Sequence, residues 1–392
     1  MRFNLQIRHK PYLIIFLSIS FSILSGCNKS DDQFENRNFN FPAPIDWPSH
    51  FFISATKAYK LARNEGLDLK SYSYGNKIYK DFNASETAIW EEVVERSANE
   101  KDFIIVITRA QWQEIVGSRH DMPSQLMNSQ NIYNYLSDFK EKMIKLSEAK
   151  GAVVFGFEPD PMATWMAIIR NEYNNDPNNI PAKLNDSGIP EVLELNPPQN
   201  FAGFWQVIDY IRKKYAPNVM LAPTVKVWGL PGNTANEPPE GWAGHPNVLL
   251  AAEQLENFGV NWDALAFNYN PGSVQEDSVY LKIARYVAEV AKEMDTHSAG
   301  KRVRPYFWKT KTLAQHYTLP ESEWTVPDIS FQMRHINYLV SIGYAGMNIG
   351  YGNQLIEYDI LPPLVKCWLE EYFNGEEGEC EPHATLGPIL LQ

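Results

Sequence analysis

The sequence predicts an α/β fold of the (β/α)8 type, a TIM barrel built as a single domain. Three observations carry that expectation. Short, nearly unbroken apolar runs recur along the chain, helical patterns separate them, and no phosphate-cradling glycine motif follows any run. The clear runs are residues 103–108, 152–157, 219–225, 264–269, 303–308 and 345–350, with weaker ones at 44–53 and 71–82. Continuous apolar character marks strands covered on both faces, as parallel strands are.

Between the runs, Phe204, Val207, Ile208 and Ile211 follow three-four spacing. Arg212, Lys213 and Lys214 then fall in a last turn, where the helix dipole favours cations. Tyr280, Ile283, Ala284, Val287 and Ala291 repeat the pattern, and residues 131–149 and 329–342 look similar. An open doubly wound sheet is the competing arrangement. It lacks support because neither Gly-x-Gly-x-x-Gly nor a Gly-rich Lys-Ser/Thr loop follows a strand.

Composition narrows the class further. With 47 acidic against 35 basic side chains the net charge is −12, which argues against nucleic acid as a partner. Three cysteines are too few for a disulfide scaffold, and scattered Pro and Gly argue against disorder. Eight histidines show no metal-ligand spacing, so no metal and no cofactor are expected.

The first residues read as an address. Arg2, Arg8 and Lys10 precede a short apolar run, which ends in Leu24-Ser25-Gly26-Cys27. Small residues before a cysteine resemble the bacterial lipobox, in which Cys27 would carry lipid and become the mature N-terminus. The expected organisation is a signal peptide over 1–26, a polar tether over 27–40, the barrel over 41–375 and a tail over 376–392. Removing 1–26 takes away three basic and no acidic side chains, leaving a charge near −15. The expected location is the bacterial cell envelope, lipid-anchored in the outer membrane. Lys29 with Asp31 and Asp32 resembles a surface-export signal. Outside the cytoplasm Cys367 and Cys380 could pair, although two spare cysteines do not by themselves establish a bridge.

Residues at the C-terminal ends of barrel strands line the active site. Those ends carry Arg109, then Glu158 and Asp160, then Lys226 and Trp228. Asn268 and Tyr269 follow, then Trp308 and Lys309, and last Tyr351 and Asn353. Rings that pack on sugar faces and amides that bond hydroxyls suit a carbohydrate site. Three cations in so acidic a chain point to an anionic glycan such as a uronate. Glu158 closes a buried apolar strand, where desolvation raises a carboxyl pKa and suits it to general acid work. Asp160 is a second catalytic candidate, and it also suits the cap of a helix beginning near Met162. Most glycosidases need two carboxylates, yet the seventh strand ends Trp308-Lys309-Thr310-Lys311 without one. Asp160 and Asp263 are the candidates for a second. One acid suffices where the substrate's own N-acetyl group is the nucleophile.

The stretches 301–308, 328–334 and 343–350 resemble the last two strands of hyaluronidases, and residues 264–269 are similar to the preceding tyrosine-bearing strand. Residues 151–158 are similar to that family's catalytic strand, which ends Asp-x-Glu. The resemblance implies Glu158 as proton donor and Tyr269 as a site tyrosine. Gly156 occupies the place of the family's Asp, and Tyr351-Gly352 that of its Trp-Gly. The expectation is a polysaccharide hydrolase, hyaluronidase-like toward amino-sugar or uronate polymers. The alternatives are a barrel glycosidase of another family and a catalytically inactive glycan-binding surface lipoprotein.

Overall fold

The computed structural model describes residues 46–55, 66–74, 84–109, 112, 115, 121–157, 159–268, 277–297, 302–310, 327–349, 363–375, 377, 378, 380 and 389–391. Eight strands run in one parallel sheet: β1 Phe52–Ala55, β2 Ser71–Tyr74, β3 Ile104–Arg109, β4 Ala152–Phe157, β5 Val219–Lys226, β6 Ala264–Asn268, β7 Arg304–Thr310 and β8 Gly346–Ile349. The order β1-β8-β7-β6-β5-β4-β3-β2 wraps the sheet round until its two edges meet. There the Ser71 hydroxyl donates to the Ile53 carbonyl, drawing the edges into a nearly closed barrel. The predicted fold class is the observed one.

Each strand forms for the expected reason. Ile104, Ile105, Val106 and Ile107 are all fully buried, as are Val153, Val154, Phe155 and Phe157 of β4, with Ala152 nearly so. β-Branched and aromatic side chains packed on both faces are what the central position demands. The first strand lies later than expected. Residues 49–51 instead meet the end of the chain: Phe51 N–H donates to Ile389 O at 2.8 Å and Leu391 N–H to Ser49 O at 2.7 Å. That pairing, with Trp47 and Leu391 against the lumen core, covers the N-terminal face of the barrel.

The lumen is filled by side chains of unequal size. Phe52, Tyr306 and Trp308 are the large ones, set among Ala152, Ala222, Ala264 and Ala266. A Cβ at Gly346 would fall on the Phe52 ring, so only glycine fits there. Outside the barrel, Phe155 and Phe157 of β4 point away from the lumen into an aromatic layer. Phe157 meets Trp205 edge-on at 5.2 Å, and Trp205 in turn meets Trp262 at 5.5 Å. Such pairs add about 0.5–1.5 kcal/mol each beyond burial.

Helices cover this layer in the usual alternation. Those before β5 are α1 Ala84–Asn99, α2 Met122–Leu126, α3 Ser129–Leu146, α4 Pro159–Glu172, α5 Pro190–Leu195 and α6 Phe201–Tyr215. After them come α7 Pro246–Glu256, α8 Asp277–His297, α9 Pro327–Arg334, α10 Ile336–Ser341 and α11 Pro363–Asn374. Caps set several of the starts: Asn128 accepts from Gln130 N–H at 3.0 Å before α3, and Asn200 from Gly203 N–H at 2.8 Å before α6. The helix expected to begin near Met162 starts at Pro159 instead, because proline suits the first helical position. Asp160 therefore lies in its first turn rather than capping it. The expected 329–342 helix is two, broken at His335, whose ring packs on Phe331.

The basic last turn of α6 is more than a dipole effect. Arg212 and Lys213 each reach Asp209 at 2.7 Å, and Lys214 reaches Glu194 at 2.6 Å. Burial alone would raise the Asp209 pKa; Arg212 and Lys213 outweigh it and hold the carboxyl below its ordinary value.

Cys367 on α11 is disulfide-bonded to Cys380, with Cα atoms 5.9 Å apart. Tyr372 of the same helix donates to Phe51 O at 2.8 Å, so the bridge and the helix together hold the chain end near the floor of the barrel.

Candidate active site

The two-residue period of the strands decides which side chains face the lumen. Met220 and Ala222 face in, so Thr224 and Lys226 follow them up β5; Ala264 and Ala266 are followed by Asn268 on β6. Tyr306 and Trp308 continue the face of β7. Lys226 pairs in register with Asn268, and Asn268 stands one residue beyond the Phe267–Phe307 pair, beside Trp308. On the other side Ser54 is in register with Asn348 and donates to its side-chain oxygen at 3.0 Å. Lysine, two amides, an indole and a hydroxyl thus form one level at the C-terminal mouth.

Trp228 stands apart from this level and above it. It is 55% exposed in the short 3-10 turn Val227–Gly229 after β5. Gly229 lets the turn lie against α4, because a Cβ there would sit 2.7 Å from Ala163 Cβ. Arg170 of the same helix donates to Gly229 O at 3.1 Å. The long loop that follows is held on α8: Trp242 donates to Lys282 O at 3.2 Å, and the Tyr286 hydroxyl donates toward Pro231 O at 3.0 Å and Asn247 O at 2.9 Å. The exposed ring is therefore carried on a braced loop, a geometry that suits stacking on a flat sugar face.

The remaining predicted residues divide by position. Arg109 ends β3, Asp160 lies in α4, and Lys309 falls where the β7–β8 register shifts between Phe307 and Thr310. Bulges of this kind are common beside active sites, where they re-aim a side chain. Glu158, Tyr269, Tyr351, Asn353 and Cys27 lie outside the described residues. Trp308 is only 9% exposed and belongs to the lumen core as much as to the mouth.

Asp263, a sequence candidate for a second carboxylate, is at the wrong end. It precedes β6, and its carboxylate accepts the Leu221 N–H at 2.9 Å, tying the N-terminal ends of two strands. Among the described residues, the inward side chains of the mouth level carry no carboxylate. Cys367, Glu371 and Cys380 converge as metal-ligating types do, but the disulfide consumes both thiolates, and Glu371 accepts Gly378 N–H at 3.0 Å.

Below the mouth lies a second polar level that residue types alone did not reveal. Gly156 is inward on β4, and a Cβ there would lie 2.9 Å from Tyr306 Oη and 3.5 Å from Thr224 Oγ1. The glycine found where the resemblance expected an Asp thus has a local cause: the Tyr306 phenol occupies that space. Burial pushes the Tyr306 pKa far up, so it stays a neutral hydroxyl. Ser54, Thr224, Tyr306 and Asn348 were all missed; counting inward positions two by two from the core alanines would have found them.

A cavity of about 350 Å³ opens at the opposite end, lined by His50, Phe51, Leu67, Asp68, Lys70 and Tyr372 among others. Its charges are internally paired: Asp68 with Lys70 at 2.5 Å and Arg96 at 2.7 Å, and His50 with Asp102 at 3.7 Å. It lies at the N-terminal strand ends, where barrels keep stabilising rather than reacting groups.

No family model and no curated protein matches the chain. Solved structures do. GH26C from a Muricauda species is 8% identical over 77% of this chain and 79% of its own, with a TM-score of 0.45. A family 1 β-glucosidase from Thermotoga maritima is 9% identical over 75% of each chain, with a TM-score of 0.37. Endo-glycoceramidase II from a Rhodococcus species is 9% identical over 79% of this chain and 75% of its own, with a TM-score of 0.39. At such identities and scores the likeness says nothing of activity.

Proposed function

We propose that the protein is a glycoside hydrolase working at the C-terminal mouth of its barrel, with Glu158 as general acid. The observation that carries this reading is the composition of that mouth: Lys226, Asn268, Trp308 and Asn348 at one level, with Trp228 exposed on a braced loop above them. Rings and amides with a cation fit a polar, anionic glycan better than an apolar ligand. Glu158 enters from the sequence, as the carboxylate that follows the buried apolar run of β4. The substrate class we favour is an amino-sugar or uronate polymer, cleaved with help from the substrate's own N-acetyl group. Asp160 and the cations Arg109 and Lys309 are further candidates at the same rim. We also propose lipidation at Cys27 and residence in the bacterial cell envelope.

The test is reducing-end release by the purified protein from hyaluronan, chondroitin, chitin-type and neutral glycans, beside Glu158→Gln. Release from one glycan, abolished by that substitution, supports hydrolysis with Glu158 as its acid. A second reading, a glycan-binding protein without catalysis, is favoured by the lack of a mouth-level carboxylate among the described residues. Binding without release, unchanged in Glu158→Gln, would establish it.

A further inference from the structure

Cys367 and Glu371 stand four residues apart on α11, a spacing that puts both side chains on one face of the helix. Past the helix the chain turns at Gly375, whose φ of 73° is left-handed, and brings Cys380 back to that face. A sulfur of each cysteine and a carboxylate oxygen of Glu371 all lie within 4.8 Å of one another. Glu371 and Cys380 are each 1% exposed, whereas Cys367 is half-buried. Gly378 steadies the Glu371 carboxylate by donating its N–H at 3.0 Å. The sequence adds Glu376, Glu377 and Glu379 between the two cysteines, an acidic stretch that draws cations. A disulfide alone has no need of the Glu371 carboxylate, and burying a carboxylate costs free energy.

We propose that this cluster is a redox-gated site for a soft divalent cation of the Zn2+ type. It is a disulfide when oxidised and a Cys367–Glu371–Cys380 metal site when reduced. A dithiol reductant opens it: the dithiol is oxidised to its own disulfide, and its two electrons and two protons leave Cys367 and Cys380 as thiols. Zn2+ then displaces both thiol protons to solvent, because the thiolate is the ligand. The cation offsets two of the three negative charges so assembled. Zn–S bonds of about 2.3 Å in a tetrahedron set the two sulfurs about 3.8 Å apart. Side-chain rotation supplies that separation, since the Cα atoms are 5.9 Å apart. The ion sits between the parted sulfurs. It enters from the half-buried side of Cys367, where water takes the fourth position. The clasp on α11, which through Tyr372 also holds residues 51 and 389, thus has two interchangeable fastenings. It is independent of what the barrel mouth binds.

The test uses the purified full chain, either oxidised or reduced by a trialkylphosphine, which becomes its oxide with water's oxygen and leaves no thiol to compete for metal. The reduced protein should take up one more Zn2+ than the oxidised protein in equilibrium dialysis. Co2+ in its place should give a thiolate-to-metal charge-transfer band. Cys367→Ser combined with Cys380→Ser should lose both. Glu371→Gln should keep the band and weaken Zn2+ affinity by at least about tenfold. Reduction in the presence of a chelator should lower Tm by about 5 °C, and Zn2+ should restore most of that loss. Equal Zn2+ uptake by oxidised and reduced protein, or by the doubly substituted one, overturns the site. An unchanged affinity in Glu371→Gln overturns the three-residue assignment. Uptake that leaves Tm at its reduced value overturns the second fastening.

Discussion

Gly156→Ala offers a sharp test of how the lumen is packed. The added Cβ would meet Tyr306 Oη at 2.9 Å, whereas its next neighbours, Thr224 Oγ1 at 3.5 Å and Ile107 O at 3.6 Å, are ordinary contacts. Tyr306 cannot easily retreat: it is fully buried, and its ring packs against Phe52 with centroids 5.7 Å apart. Overpacking of this kind costs about 1–3 kcal/mol. In the Tyr306→Phe background the one close atom is gone. Alanine then keeps only its advantage over glycine in a strand, about 0.5–1 kcal/mol in its favour. The substitution should therefore destabilise the parent protein and be neutral or stabilising in the phenylalanine variant. Urea unfolding of all four proteins, followed by tryptophan fluorescence, measures the coupling, expected at about 1–3 kcal/mol. An equal cost in both backgrounds would refute the assignment of Gly156 to the phenol.

Other perturbations act elsewhere in the molecule. Trp228→Ala should weaken glycan binding roughly tenfold while leaving Tm unchanged, because the ring is mostly in solvent; isothermal titration beside a thermal melt checks both. Asp209→Asn leaves Arg212 buried without its counter-charge and should cost about 3–5 kcal/mol, read by urea midpoint at neutral pH. The Asp209 pKa is lowered on folding, so its contribution is present above the unfolded value of 3.8 and is lost as pH falls through the folded one. As pH falls below about 4, the parent should thus lose stability more steeply than Asp209→Asn. Reducing the Cys367–Cys380 bridge, or replacing both cysteines with serine, should cost about 2–4 kcal/mol, visible as a lower Tm that added reductant no longer changes.

Much of the architecture was legible in the chain because parallel strands and their covering helices impose patterns on consecutive residues. The run at 152–157 coincides with β4, and the 204–211 spacing lies within α6. Boundaries failed where a local signal was overridden. Proline at 159 began a helix earlier than a cap at Asp160 implied, and the chain end drew residues 49–51 out of the first strand. Asp263 was misassigned because carboxylates at the two ends of a strand look alike until the direction of the ladder is known.

The sequence by itself determined the alternating periods, hence the class of fold, and the residue types offered at each strand end. Only the tertiary structure decided which of those residues share a level. It set Lys226 beside Asn268, joined Ser54 to Asn348 across 294 positions of the chain, and laid the Tyr306 phenol over Gly156. The physical reason is closure. A barrel brings residues hundreds of positions apart into one register row, and the volume filled by a ring on one strand dictates the glycine on another.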